Sequence, residues 1–284
     1  MRWRELDGND AAALVALAGR VLEVDGGHPV VGEEGFLRGR FLSGESTGAF
    51  TEDGELVAAA GVRPVGETTA GIGAVHPAHR GQGLGIRLLD WILARAARVE
   101  TEALTDAADK LFRVRGLRRT FAEDIMRADL LRMAPAPGLP PGVTLTGWEA
   151  AGSQRFFDVY SAAFADRPGF PGWSHEQWTD WIAGDDEFAP QWTVLATKDG
   201  RDAGFVAGAR DGDGPGWIVQ VGVIPQLRGC GLGAGLTGEA MRRMRADGVD
   251  AAMLDVNENN PGAARTYERL GFQRIGRRAR YEAG

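Results

Sequence analysis

The sequence predicts an α+β protein, layered as helices on sheet, made of two tandem domains of one design. Three observations predict it. The hexapeptide Arg-Gly-Gln-Gly-Leu-Gly at Arg80–Gly85 returns as Arg-Gly-Cys-Gly-Leu-Gly at Arg228–Gly233. Each copy lies between a short apolar run, Gly73–Pro77 or Val221–Pro225, and an apolar stretch of helical spacing. Between the copies, residues 134–142 read Ala-Pro-Ala-Pro-Gly-Leu-Pro-Pro-Gly, a stiff extended segment that neither helices nor central strands can use. The expected division is therefore a domain over 1–133, a linker over 134–142 and a second domain over 143–284. At 284 residues, length alone agrees with about two domains.

Taken along the chain, Ala11–Val24 is apolar but broken by Arg20 and preceded by Glu5, Asp7 and Asp10, so it reads as an amphipathic helix and not a signal peptide. After the first glycine loop and the linker, Phe164–Trp181 (FADRPGFPGWSHEQWTDW) predicts two helices joined by an Arg-Pro-Gly-Phe-Pro-Gly loop. Trp178 and Trp181, at i, i+3 spacing, also fit a buried helix face. Trp217–Ile224 reads as a central strand, with Gly222 marking a bulge or a close backbone approach. A helix over Gly233–Ala246 follows the second loop. In Leu254–Phe272, Leu254 and Val256 alternate as in a strand, and Asn259–Gly262 turns the chain. Ala263–Leu270 is a short helix that Gly271 stops before Phe272 opens another strand.

A strand, a glycine-rich turn and a helix N-terminus present unpaired backbone N–H groups, a site suited to a diphosphate. The plain reading of one such hexamer is a tight turn that needs positive φ. No Lys-Ser/Thr follows the glycines, which excludes an NTPase phosphate loop, and the Gly-x-Gly-x-Gly spacing is not the dinucleotide fingerprint. The pattern instead resembles Gln/Arg-x-x-Gly-x-Gly/Ala, the pyrophosphate loop of the GCN5-related N-acetyltransferases (GNAT). The run Asn260, Ala263, Tyr267, Gly271 and Phe272 likewise resembles that family's Asn-x-x-Ala-x-x-x-Tyr-x-x-x-Gly-Phe ending. The resemblance is close over about 195–280 and weaker in the first half.

What the resemblance implies is specific. Each domain should be a twisted, mixed, mostly antiparallel sheet flanked by helices, with a central pair of strands splayed apart. Acetyl-CoA should be the cofactor. The pantetheine arm would lie along Val221, Gly222 and Val223, and the diphosphate on Arg228, Gly229, Cys230, Gly231, Leu232, Gly233 and Ala234. Asn260, or alternatively a cap on the next helix, Ala263, Ala264 and Arg265 would complete the coenzyme site. In the first domain Ala74, Val75, Arg80, Gly81, Gln82, Gly83, Leu84 and Gly85 would form a second, non-catalytic coenzyme site. The tandem layout also resembles the mycothiol synthases, which acetylate a cysteinyl aminosugar in a catalytic second domain beside a degenerate first one. Those enzymes place an acidic residue near the start of the central strand, where this chain has Trp217.

The two halves differ where chemistry is expected. Both Pro225 and Arg228 lie 148 residues after their counterparts Pro77 and Arg80, whereas Gly271 lies 155 after Gly116, so the first half lacks a segment matching the neighbourhood of Arg245–Ala251. At the shifted spacing Thr105 stands for Asn260, Ala108 for Ala263 and Phe112 for Tyr267. Acetyl transfer needs an unprotonated amine, a donor for the developing oxyanion and a proton for the departing thiolate. A tyrosine phenol, neutral at pH 7, can supply that proton and phenylalanine cannot. Tyr267 is therefore the expected catalytic general acid, and chemistry is expected in the second domain. The plain alternative for Tyr267 is a core aromatic.

Asp166, Arg167, Phe170, Trp173, Trp217 and Gln220 are the candidate substrate residues, with Trp178 and Trp181 in the same apolar wall. The central strand has no carboxylate; Gln220 can position a water, and Asp255, Glu258, Asp166 and His175 are the alternatives for a base. Cys230 is the only cysteine, which excludes an internal disulfide and favours a cytoplasmic setting. It occupies a variable position of the loop, away from the expected thioester. No metal-ligand cluster is visible. A net charge of −7 without a basic run argues against nucleic acid, and no apolar run reaches membrane-span length. The expected partner is a small-molecule amine such as an aminosugar, a peptide-like metabolite or an antibiotic, with the chain a monomer or homodimer. A protein N-terminus as acceptor, or a non-catalytic acyl-CoA sensor, are the alternatives.

Overall fold

The computed structural model describes residues 1–167, 170–210 and 212–284. The chain forms two compact units. Unit 1 takes in Met1–Ile125, Asn257–Asn259 and Arg274–Gly284; unit 2 takes in Met126–Val256 and Asn260–Gln273. The division differs from a cut at 134–142: the last strand of the chain belongs with the first half, and the proline-rich stretch belongs with the second.

In unit 1 the chain runs through β1 (Arg2–Arg4), α1 (Ala11–Asp25), α2 (Glu34–Leu37), a π-helical turn (Arg38–Leu42), β2 (Glu45–Phe50), β3 (Leu56–Val65) and β4 (Thr68–Val75). It continues through α3 (Leu84–Leu93), β5 (Arg98–Thr101), α4 (Asp106–Val114) and into β6 (Leu117–Asp129), whose last residues pass into unit 2. Unit 2 contains β7 (Val143–Gly147), α5 (Ser153–Phe164), α6 (His175–Ala183), β8 (Phe188–Lys198), β9 (Arg201–Arg210), β10 (Gly216–Val223), α7 (Leu232–Ala246), β11 (Ala251–Asn257) and α8 (Pro261–Arg269). The final strand, β12 (Gln273–Ala283), returns to unit 1.

Both sheets are mixed and mostly antiparallel. In unit 1, β1 to β4 pair antiparallel in sequence order, β5 runs parallel to β4, and β12 pairs antiparallel with β5 from Arg98↔Glu282 to Thr101↔Ala279. In unit 2, β7 to β10 are antiparallel neighbours and β11 runs parallel to β10. β3 is buried on both faces from Leu56 to Val62, and Val57, Ala59 and Ala60 join Leu88 and Ile92 of α3 in the unit 1 core. Trp192, Val194, Leu236, Met241 and Leu254 fill that of unit 2.

The return of β12 has a physical basis in its side chains. Tyr281 is fully buried and its ring lies 4.8 Å from that of Phe112. Arg277 pairs with Asp124 at 2.6 Å, and Arg278 with Glu123 at 2.6 Å. The stretch 134–142 is likewise packed and not a bare tether. A Cβ on Gly235 would meet Leu139 at 3.1 Å, and one on Gly238 would meet Ala136 at 2.6 Å, so two glycines of α7 let this segment lie close along the helix. The segment missing from the first half shows as a shorter helix, 10 residues in α3 against 15 in α7. No helix among the described residues is long and apolar enough to cross a membrane.

Candidate functional site

The two glycine loops adopt one conformation. Gly81 and Gly83 have φ of 77° and 82°, and Gly229 and Gly231 have 78° and 88°, left-handed values that explain glycine at these positions. Gly83 and Gly231 are the N-cap residues of α3 and α7, and neither helix has a side-chain cap. The first-turn amides of a helix have no intrahelical acceptor. By contrast Asn260, Thr105 and Ser174 cap α8, α4 and α6 through their side chains. Uncapped N-termini approached through left-handed glycines fit a diphosphate, which supplies both acceptor oxygens and the charge that the helix dipole favours.

Arg228 of unit 2 donates from Nη2 to the Ala163 carbonyl at 2.9 Å. The two strands next to the loop part early: β10 and β11 are in register only at Gly216↔Ala252 and Trp217↔Met253. Immediately beyond, the β9–β10 register shifts between Ile218 and Gln220, so Val219 is a bulge, and it is 40% exposed. The bulge is therefore at Val219 and not at Gly222. Gly222 is the close approach, since a Cβ there would meet Phe205 Cε1 at 2.6 Å and Ala163 Cβ at 3.2 Å. Val221 and Val223, half-buried on this strand, pack against the core.

Unit 1 differs at the same place. Its β3–β4 register runs unshifted from Ala58↔Val75 to Val65↔Thr68, and β4 stays paired with β5 through Ile72↔Glu100. By the 148-residue spacing of the loops, Ile72 corresponds to Gln220. The unit 1 strands thus remain together three residues longer than those of unit 2. The residues predicted there, Ala74, Val75, Arg80, Gly81, Gly83, Leu84 and Gly85, line one cavity, whereas Gln82 is exposed outside it. Arg80 is held by Asp25 through two hydrogen bonds, of 2.8 and 2.5 Å.

Tyr267 lies on α8, half-buried, with its ring 5.9 Å from Phe272. Burial pushes its phenol up to about 12, so it keeps its proton at neutral pH. Asn260 serves as the cap of α8, its Oδ1 accepting from the Ala263 amide at 3.2 Å. That leaves the Nδ2 donors for a ligand. Ala263 and Ala264 face the core and Arg265 is exposed. In unit 1, Thr105 caps α4 in the same way, through Ala108 at 3.2 Å. A phenol does reach the neighbourhood of Phe112, but from β12: Tyr281 donates to Asp109, is fully buried and is pushed up to about 12. Nothing in the local sequence of the first repeat signals it.

The aromatic segment divides differently from expectation. Trp178 is fully buried, stacked on Tyr160 with rings 5.3 Å apart, and its Nε1 donates to Gln220 Oε1 at 3.3 Å. Gln220 is thus engaged by an indole, which changes its expected role as a holder of water. Trp181 is 46% exposed, against the expectation of a shared buried face, and pairs with Trp173 at 5.3 Å. Phe170 packs on Tyr160 at 5.5 Å, Trp173 and Trp217 are half-buried, and Asp166 and Arg167 are exposed. Pro168 and Gly169 of the Arg-Pro-Gly loop lie outside the described residues. Tyr160, unremarked in the sequence, is the hub of this cluster, and burial raises its phenol.

Of the candidate bases, Glu258 sits in unit 1, taking two hydrogen bonds from Arg119 at 3.1 and 2.8 Å. His175 Nε2 lies 2.9 Å from Ser153 Oγ. Both have structural partners that account for them. Asp255 is half-buried on β11. Cys230 is exposed, and its Sγ donates to the Leu227 carbonyl at 2.9 Å.

Comparison with known proteins agrees with this geometry. A family model described as the acetyltransferase (GNAT) family matches residues 154–272, and one described as an acetyltransferase (GNAT) domain matches 44–117. The mycothiol acetyltransferase of Thermobispora bispora is 36% identical, over 95% of each chain. That of Streptomyces avermitilis is 34% identical, over 94% of this chain and 89% of its own. Among solved structures, a GCN5-related N-acetyltransferase from Sphaerobacter thermophilus superposes with a TM-score of 0.77 at 28% identity, over 99% of this chain and 94% of the other. A tandem GNAT protein from the clavulanic acid biosynthesis pathway shares the fold, with a TM-score of 0.65 at 19% identity and 100% and 98% coverage.

Proposed function

The chain belongs to the GNAT acetyltransferase family, with two such domains in tandem, and from that premise we propose that unit 2 alone transfers acetyl to the primary amine of a small molecule. Enzymes of this family use acetyl-CoA. The observation that carries the assignment is that unit 2 combines the bulged and early-parting β10 with a tyrosine, Tyr267, on α8, where the first repeat has Phe112.

Acetyl-CoA when bound supplies the thioester, and the chain's residues do the rest. The amides of Gly229–Leu232 and the Arg228 guanidinium hold negative charge at the head of α7. Parting of β10 from β11 after Trp217 leaves backbone groups of Ile218–Val223 without a partner on that side, so a pantetheine amide can take the place of a strand. A backbone N–H of the same stretch would polarise the thioester carbonyl. As the amine nitrogen bonds to the thioester carbon and the C–S bond breaks, Tyr267 Oη would give its proton to the departing sulfur, and the resulting phenolate would take up the proton that the acetylated nitrogen sheds. The amine arrives from the side roofed by α5 and α6, where the half-buried Phe170 and Trp173 present apolar faces.

The relatives named mycothiol acetyltransferases favour a cysteinyl aminosugar as acceptor. Trp217 stands where the mycothiol synthase pattern has an acid, so recognition of that amine would have to come from another group. In unit 1, Arg80–Gly85 holds a coenzyme without turnover, because Phe112 cannot protonate a thiolate. The test is acceptor-dependent thiol release from acetyl-CoA across an amine panel that includes a cysteinyl aminosugar. Tight coenzyme binding without acceptor-dependent release would overturn the enzymatic reading of unit 2. Release with simple amines but not the aminosugar would overturn only the acceptor.

A further inference from the structure

Unit 1 contains a cavity of about 430 Å³ that the acetyl group of acetyl-CoA does not explain. It begins at Arg80, Gly81 and Gly83 of the loop and passes Gly73–Val75, where β4 has parted from β5. It ends beneath α1 and the segment after it, against Leu14, Leu17, Val21, Val31, Phe36 and Phe41. A chamber for an amine acceptor would be expected to offer polar groups for recognition and deprotonation. The far end of this one is hydrocarbon. Asp25 and Glu102, the carboxylates on its lining, are each held by an arginine: Asp25 by Arg80 at 2.5 Å and Glu102 by Arg40 at 3.1 Å.

The ion pair at the entrance bears on what must hold a ligand there. With the Arg80 charge already matched by Asp25, the loop attracts a diphosphate mainly through its amides. Tight binding then requires contacts deeper in, and those available are apolar. An acetyl group would leave the chamber beneath α1 empty, whereas each methylene placed in it adds about fourfold to affinity.

We propose that unit 1 binds an acyl-CoA with an acyl chain longer than acetyl, the diphosphate on the Arg80–Gly85 loop and the hydrocarbon chain in the chamber beneath α1 and α2. This rests on the reading of that loop as a coenzyme site. The thioester remains intact, since Phe112 offers no proton.

The test uses the full-length protein with acetyl-CoA, octanoyl-CoA, octanoate and an acyl-CoA whose chain ends in a photoactivatable diazirine. Octanoyl-CoA should bind unit 1 at least tenfold more tightly than acetyl-CoA, and the diazirine should label residues 11–41. Ala18 of α1 also lines the chamber, so Ala18→Leu narrows it and should move the preferred chain length down; Phe36→Ala should move it up, and neither should change acetyl-CoA binding. Two substitutions of opposite sign keep the test informative if one variant folds poorly. Equal binding of acetyl- and octanoyl-CoA in unit 1, or labelling confined to residues of unit 2, would overturn the acyl-chain proposal and leave the coenzyme reading standing. Octanoate competing as well as octanoyl-CoA would overturn the diphosphate half. Failure of every coenzyme form to bind unit 1 would overturn the coenzyme reading itself.

Discussion

Asp25 closes on Arg80 with two hydrogen bonds, of 2.8 and 2.5 Å, while Arg228, the matching arginine of the second repeat, donates to two backbone carbonyls, of Val223 and Ala163. The same loop is thereby neutralised in unit 1 and left cationic in unit 2. Removing the Asp25 charge should restore the attraction: Asp25→Asn should tighten CoA binding in unit 1 by about three- to thirtyfold, the worth of one charge-assisted contact. Calorimetric titration with CoA, repeated at higher salt, checks this. An unchanged affinity would mean that the diphosphate does not meet Arg80.

Tyr267→Phe should lower kcat by about a hundredfold or more and leave coenzyme affinity nearly unchanged. Steady-state kinetics beside equilibrium CoA binding separates the two effects. An equal loss in both would mark Tyr267 as a packing residue against Phe272.

All three tyrosines of the chain should titrate late. Tyr267 and Tyr281 are pushed from 10 to about 12 and Tyr160 is raised, burial being the largest cause in each. A native state that holds phenolic protons more tightly than the unfolded chain is favoured fully below the unfolded value of 10. That contribution is lost as pH rises through about 12. Spectroscopic titration should therefore show almost no phenolate from Tyr267 or Tyr281 in the folded protein up to pH 10, and stability should fall above it. More than one tyrosine equivalent ionising below that pH would contradict the burial of Tyr267 and Tyr281.

Gly222→Ala should destabilise unit 2 by about 1–3 kcal/mol, because the new methyl would enter the space of the buried Phe205 ring. Thermal denaturation measures it. The corresponding position of the first repeat is Ala74, which marks the crowding as specific to unit 2.

Ending the chain before Arg274 should unfold unit 1 more than unit 2. It removes a partner of β5 together with the buried Ala279 and Tyr281. Loss of one large buried aromatic alone is worth about 3–5 kcal/mol. Amide exchange over residues 98–101 would report it. Protection there equal to that of the intact chain would show that β12 is dispensable.

Cys230 offers a simpler check of the loop. It is the only thiol and is exposed at its turn, so CoA should slow its alkylation. In Arg228→Ala the same protection should require about tenfold or more CoA.

Much of this was readable along the chain. Paired loops, the helices after them and the Asn260–Phe272 ending announce themselves because they depend on local rules. Left-handed turns need glycine, a short helix needs a cap and a stop, and apolar residues recur at the spacing of the element they pack. The loss of the phenol at Phe112 was legible for the same reason, from spacing alone.

Other features depend on residues distant in sequence. Proline-rich 134–142 looks like a boundary, yet glycines about a hundred residues later receive it along α7. Trp178 and Trp181 share a helix spacing, and only the position of Tyr160 and Gln220 decides that one is core and the other exposed. Glu258 looked available for proton transfer until Arg119, 139 residues away, took both its oxygens.

The duplication, the paired glycine loops and the single tyrosine that separates the repeats follow from the order of residues, because each is a short-range relation between neighbours. Which strands part early, where the bulge falls, that Asp25 neutralises Arg80 and that the last strand completes the first unit were decided by tertiary structure. Register and charge pairing are set by what packs across the sheet, and no stretch of chain carries that information alone.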